Sequence, residues 1–173
     1  MDGVMVDSEF VYMKYLLEFA KEKNPTVKME DINPMVGRSR QDSWTVMEQA
    51  VNNGENWETL IREWADRDIY SQIDYRKIFR PEMKTTVQEL KRRGYIVALV
   101  SSTGPKLISR IVEEVGMRPE FDLIVSGKQF KQSKPNPEIY HYTANILGVR
   151  EDECFVVEDS TVGIEAAYRA GMS

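Results

Sequence analysis

Tyr95-Ile96-Val97-Ala98-Leu99-Val100-Ser101-Ser102 is the stretch on which the fold turns. Six apolar residues run without a polar break and then meet two serines. A half-exposed strand would alternate; an unbroken run of strand length suits a parallel strand covered on both faces. Before it, Pro81 opens a helix and Gly94 closes it, the usual placement of these two residues at helix ends. After it the pattern repeats. A helix reads from Lys106 to Val115 and stops at Gly116. A strand follows at Asp122-Leu123-Ile124-Val125-Ser126, then a helix from Pro137 to Leu147 stopped by Gly148. A third strand reads at Cys154-Phe155-Val156-Val157-Glu158, and a last helix runs from Thr161 to Ala170 before Gly171. Alternating strands and helices predict an α/β fold with a parallel sheet and right-handed crossovers.

The chain ahead of Pro81 has a different period. Phe10, Met13, Leu17 and Ala20 share one helical face, so residues 9–22 read as an amphipathic helix. Residues 39–51 and 55–74 read likewise, with Trp44, Met47, Trp57, Leu60, Ile61 and Trp64 as the buried side. The expected organisation is therefore an α/β core at 1–8 and 79–173 with an all-helical domain at 9–78 inserted between them.

Composition narrows the chemistry. A hydrophobic share of 42% and a charged share of 29% suit an ordinary globular protein, and a net charge of −5 disfavours nucleic acid as partner. Cys154 is the single cysteine, which excludes an internal disulfide and a multi-cysteine zinc site. No apolar run reaches membrane-span length and none has signal-peptide form. The expected compartment is the cytoplasm.

Polar groups gather just past each strand: Ser101 and Ser102, then Ser126 and Lys134, then Glu158, Asp159 and Ser160. Ligand crevices of open α/β sheets lie at these carboxyl ends. Asp2, beside Gly3, adds a carboxylate from the start of the chain. Converging carboxylates repel unless a cation sits among them, and Mg²⁺, which prefers hard oxygen donors and keeps room for a substrate phosphate, is the natural neutraliser. A lysine, a serine hydroxyl and the first amides of a following helix make a phosphate seat. The set suits stabilisation of a phosphoryl group in transfer. Each residue has a plainer role as well. Ser101 reads equally as a helix cap, Glu158 and Asp159 as favourable charges at a helix start, Asp7 as a cap of the first helix, Arg38 and Arg40 as solvated charges, and His141 as a packing or surface residue.

The motifs in order resemble the haloacid dehalogenase superfamily, in its β-phosphoglucomutase-like subgroup. Met1-Asp2-Gly3-Val4-Met5-Val6-Asp7-Ser8 is similar to the end of the family's first motif, Asp-x-Asp-Gly-x-x-x-Asp-Ser. Val97 to Thr103 resembles the second motif, Lys134-Pro135-Asn136-Pro137-Glu138-Ile139-Tyr140 the lysine motif, and Val156-Val157-Glu158-Asp159-Ser160 with Gly163-Ile164-Glu165-Ala166-Ala167 the acidic fourth motif. Gly37-Arg38-Ser39-Arg40-Gln41-Asp42-Ser43 is similar to the subgroup's cap loop. The resemblance implies a Rossmann-like parallel core with an inserted helical cap. It implies an Mg²⁺-dependent phosphomonoester hydrolase acting on a small phosphorylated metabolite such as a sugar phosphate. Asp2 would be the general acid and base and, through its main-chain carbonyl, a metal ligand. Glu158 and Asp159 would hold the metal, Ser101, Ser102 and Lys134 the phosphoryl oxygens, and Arg40 the substrate from the cap.

Two alternatives accompany this reading. One is a sugar phosphomutase, disfavoured because Tyr12 stands where the resembling mutases carry a histidine. The other is a phosphate- and metal-binding module without turnover. By the same alignment the nucleophilic aspartate precedes Met1, and the strands at Tyr95–Val100 and Cys154–Glu158 are expected to flank a central strand supplied from outside these residues. A further strand is expected beyond Ser173. The partners expected are a small phosphorylated metabolite, no nucleic acid and no membrane, for a monomer or weak homodimer.

Overall fold

The computed structural model describes residues 1–36 and 38–173; Gly37, which opens the cap-loop motif, lies outside the described residues. The chain forms two compact units, one of Met1–Ser8 with Asp74–Ser173 and one of Glu9–Ile73.

The inserted unit is helical. Its α-helices are α1 (Ser8–Lys23), α2 (Met29–Ile32), α3 (Arg40–Val51), α4 (Trp57–Ala65) and α5 (Ile69–Gln72). Ser39 caps α3 by accepting from the Asp42 amide at 3.2 Å, and Asn56 caps α4 by accepting from Thr59 at 2.9 Å. The single helix expected over 55–74 is two, because Asp66-Arg67-Asp68 offers no apolar position to continue the buried face. Phe19, Trp44 and Trp64 pack ring against ring at the centre of this unit, with centroids 5.5–6.3 Å apart, among Leu16, Met47 and Leu60.

The second unit carries the sheet. Strand β1 (Ala98–Ser101) pairs in parallel with β2 (Leu123–Ser126), in the register Ala98 to Leu123 through Ser101 to Ser126. Helix α6 (Glu82–Arg92) precedes β1, α7 (Pro105–Glu114) connects the two strands, and α8 (Glu138–Leu147) and α9 (Thr161–Arg169) follow. Val125, Ile139, Tyr140, Ala144, Ala166, Ala167 and Met172 close one side of the core.

The third expected strand is corrected. Residues 154–158 are extended but form no ladder. One edge bonds only to the last residue, Val156 N–H donating to the Ser173 carbonyl at 2.7 Å and Ser173 N–H to the Cys154 carbonyl at 3.1 Å. Its other edge does not meet β1; a cavity of about 480 Å³ separates the two. A ladder needs a neighbour on the donor edge, and an apolar run alone does not supply one.

Candidate active site

The end of β1 and the first loop of the chain meet through hydroxyls. Ser8 Oγ donates to Asp2 Oδ1 at 2.6 Å, and Thr103 Oγ1 donates to Asp2 Oδ2 at 2.8 Å. Each carboxylate oxygen is thus held by one hydroxyl, which fixes the plane of the group. Thr103 is itself held from two sides. Its amide donates to Ser101 Oγ at 3.2 Å, and its carbonyl accepts from Ser126 Oγ at 2.6 Å. Ser101 and Ser126, which stand opposite one another in the β1–β2 register, so become the buried support of Thr103. Ser102 is exposed beside them. Its main chain lies so close to Gly127 that a Cβ there would approach Ser102 Cα to 3.1 Å.

Helix α7 starts at this point. Gly104 is its N-cap and Pro105 its first residue, and no side chain caps it. The amides of its first turn are left for a ligand, and the helix dipole favours an anion there.

The second cluster lies past residues 154–158. Lys134 Nζ donates to Glu158 Oε2 at 2.6 Å, with the two side chains only 7% and 15% exposed. Tyr140 encloses the pair, its ring 5.0 Å from Nζ and its hydroxyl 3.4 Å from the same carboxylate oxygen. Ser160 donates to the other oxygen at 2.9 Å and also caps α9. Burial alone would push the Glu158 carboxyl up, but the hydrogen bond and charge of Lys134, with Ser160, outweigh it and hold it at about 2. Burial would likewise push Lys134 down, yet its hydrogen bonds to Glu158 and Tyr140 carry it above the usual lysine range.

The sign of the resulting pH dependence follows. Glu158 is more acidic folded than unfolded, so its contribution is complete above the ordinary carboxylate value of 4.5. It is lost as pH falls toward about 2. With partial access to water the contribution is about 1–2 kcal/mol. Denaturant titrations in metal-free buffer of the parent and Glu158→Gln should therefore converge in stability as pH drops through that window. Parallel curves would remove the pair as the cause.

Two glycines make room for the acids. A Cβ on Gly3, whose φ is +68°, would stand 1.7 Å from Asp159 Oδ2, and one on Gly163 would stand 2.1 Å from the Glu158 carboxyl carbon. Gly163→Ala must evict the Glu158 carboxylate from Lys134. The expected cost is about 1–2 kcal/mol, with loss of the acid-dependent step just described. An alanine variant that keeps that step would show that Glu158 has stayed in place.

Asp159 differs from its neighbours. It is exposed, lies against Gly3, and has no hydrogen-bond or ion-pair partner among the described residues. No three acidic, histidine or cysteine side chains among those residues are close enough to hold a metal by themselves. The donors present are hard oxygens, with Asp159 unengaged. They fit a cation that completes its shell with main-chain oxygen, water and substrate, as Mg²⁺ does, and do not form an all-protein cage.

Arg40 lies in the helical unit, exposed at the start of α3. With Glu9, Tyr12, Ser43 and Trp44 it lines a pocket of about 230 Å³. The residues missed by sequence reasoning are Thr103, Ser8 and Tyr140. The first two lay inside motifs already singled out, but nothing in one sequence says that their hydroxyls turn to Asp2.

The parallel sheet, the polar groups past its strand ends and the separate helical unit define a capped Rossmann-like α/β protein. The chain belongs to the haloacid dehalogenase-like hydrolases, whose family match extends over residues 1–173. It is 26% identical over 175 residues to the phosphorylated carbohydrates phosphatase of Thermotoga maritima, covering 99% of this chain and 79% of that protein. It is 25% identical over 174 residues to hexitol phosphatase B of Escherichia coli K12, covering 99% and 78%. Its fold matches the crystal structure of β-phosphoglucomutase from Clostridium difficile with a TM-score of 0.66 at 22% identity, over 99% of this chain and 78% of that one. No helix among the described residues is long and apolar enough to cross a membrane.

Proposed function

We propose that this protein is an Mg²⁺-dependent phosphomonoester hydrolase acting on a small phosphorylated metabolite of the sugar-phosphate class. The observation that carries the reading is the Asp2 carboxylate, oriented by Ser8 and Thr103 at the carboxyl end of β1. A carboxylate held by two hydroxyls can change its proton while keeping its position, which a general acid and base requires.

In this reading an aspartate directly ahead of Met1 attacks phosphorus. The bond from phosphorus to the ester oxygen breaks, and Asp2 gives its proton to the departing alcohol. Asp2 then takes a proton from water as the water oxygen attacks phosphorus. Orthophosphate leaves and the attacking carboxylate is restored. Lys134 and the first-turn amides of α7 hold the phosphoryl oxygens, with Ser101 and Ser102 at the same loop. Asp159, Glu158 and the Asp2 carbonyl would hold Mg²⁺, which would offset negative charge on the transferring group. Arg40 would meet the substrate from the cap. The relatives named as carbohydrate and hexitol phosphatases favour a polyhydroxylated substrate.

Tyr12 favours hydrolysis over a mutase. Its hydroxyl accepts from Trp64 Nε1 at 2.9 Å, its ring stacks on Tyr70 at 6.0 Å, and burial pushes its pKa up. A phenol so engaged serves packing and is a poor proton gate near neutrality. The test is phosphate release from a panel of sugar phosphates, with and without Mg²⁺, by the chain carrying an aspartate ahead of Met1. Release that depends on Mg²⁺ supports the proposal. Binding of Mg²⁺ and phosphate without turnover would favour the binding-module alternative, and interconversion of glucose 1- and 6-phosphates would favour a mutase.

A further inference from the structure

The cavity between β1 and residues 154–158 has the backbone chemistry of a place for one more strand. In an extended chain the N–H and C=O of each residue point to one side, and successive residues alternate. The Val97 carbonyl accepts from the Asp122 amide at 2.9 Å, so Val97, Leu99 and Ser101 turn toward β2. Ile96, Ala98 and Val100 therefore turn their main-chain groups toward the cavity. On the far side Cys154 and Val156 bond to Ser173, so Phe155 and Val157 turn theirs inward. Among the described residues the main chains of Phe155 and Val157 make no hydrogen bond.

The walls are apolar. Val87 and Leu90 of α6 and Ala144 and Leu147 of α8 line the space between the two runs. Ile96, Phe155 and Val157 are 52%, 56% and 67% exposed, values at odds with residues of their kind in runs of this kind. Tyr95 and Phe155 touch edge to face across the mouth, at 6.3 Å.

We propose that this cleft accepts one extended, continuously apolar segment of about five residues, joined to the amino side of Met1 and running parallel to β1. Each part of that statement has its own observation. The length is that of the facing runs, 96–100 and 154–158. The apolar character follows from helices of apolar lining on either side, because both sets of alternating side chains would meet hydrocarbon. The direction follows from Met1, which lines the cavity, and from Asp2, which is tied to Thr103 just past the carboxyl end of β1. A segment that leaves the cavity at that end has run the same way as β1. Pairing on two edges would also tie the loop of Asp2 to both β1 and residues 154–158. The inference stands on the cleft alone and does not depend on the hydrolase reading.

The test uses hydrogen exchange and light scattering on three forms: the 173-residue chain, the chain preceded by an alternating Val-Ile pentapeptide, and the same extension with proline at its centre. The amides of Ala98, Val100, Phe155 and Val157 should exchange on the order of 100-fold more slowly with the apolar extension, in a monomer. The proline form should not protect them, because proline removes a ladder donor. Equal, fast exchange in all three forms would overturn the proposal, as would slow exchange of those amides in the unextended monomer. Protection that appears only in a dimer of the unextended chain would assign the cleft to a second copy and overturn the occupant proposed.

Discussion

Asp2→Asn should lower kcat by about 10²–10⁴-fold, the range for loss of a positioned acid–base group. Its effect on folding should be small. Asparagine retains one carbonyl oxygen to accept from Ser8 or Thr103, and the site is only half-buried. The substitution removes the proton inventory and keeps the shape. Steady-state kinetics on the best sugar phosphate and a thermal melt of the same sample separate the two effects. The account expects kcat to collapse with KM within a few-fold, because Asp2 acts on the leaving group and the water and contributes little to ground-state binding. Asp2→Asn with wild-type kcat would remove Asp2 from the chemistry.

The second large effect is on stability. Lys134→Met severs an ion pair whose two side chains are nearly sequestered. It leaves Glu158 among Tyr140 and Ser160 with no cation. The expected loss is about 3 kcal/mol, at the low end for a buried pair because Glu158 retains some contact with water. The uncompensated carboxyl should then titrate upward, so the penalty should shrink as the pH is lowered and Glu158 takes up its proton. Replacing both residues, Lys134→Met with Glu158→Leu, should recover most of the loss, since no buried charge remains. Denaturant midpoints for the four members of this cycle check the argument. A double variant as unstable as Lys134→Met would mean that packing, and not the stranded charge, sets the cost.

The sequence announced the architecture because its signals are local. Pro81 and Gly94 bracket α6, Gly148 stands just past α8 with φ at +66°, and Ser160 caps α9. The apolar runs at 95–100 and 122–126 contain β1 and β2. The polar residues past the strand ends were legible for the same reason, since ligand crevices follow topology. What was not legible depends on partners distant in sequence. Strand β1 is shorter than its apolar run because only Ala98–Ser101 finds β2. Residues 154–158 have strand composition but no partner along one edge. The buried pairing of Lys134 with Glu158 spans 24 residues. Thr103 became a contact of Asp2 only through a turn that Ser101 and Ser126 support. Periodicity carries none of this.

The central claim is that an aspartate ahead of Met1 receives the phosphoryl group while Asp2 manages the protons. Rapid acid quench during turnover of a sugar phosphate labelled in its phosphate tests it most directly. The chain bearing that aspartate should carry label that survives acid and is released by hydroxylamine, in an amount approaching one per chain when Asp2→Asn slows the second step. The same chain with asparagine in place of that aspartate should carry none. Phosphate release at full rate with no labelled protein in either form would mean direct attack by water and would contradict the account.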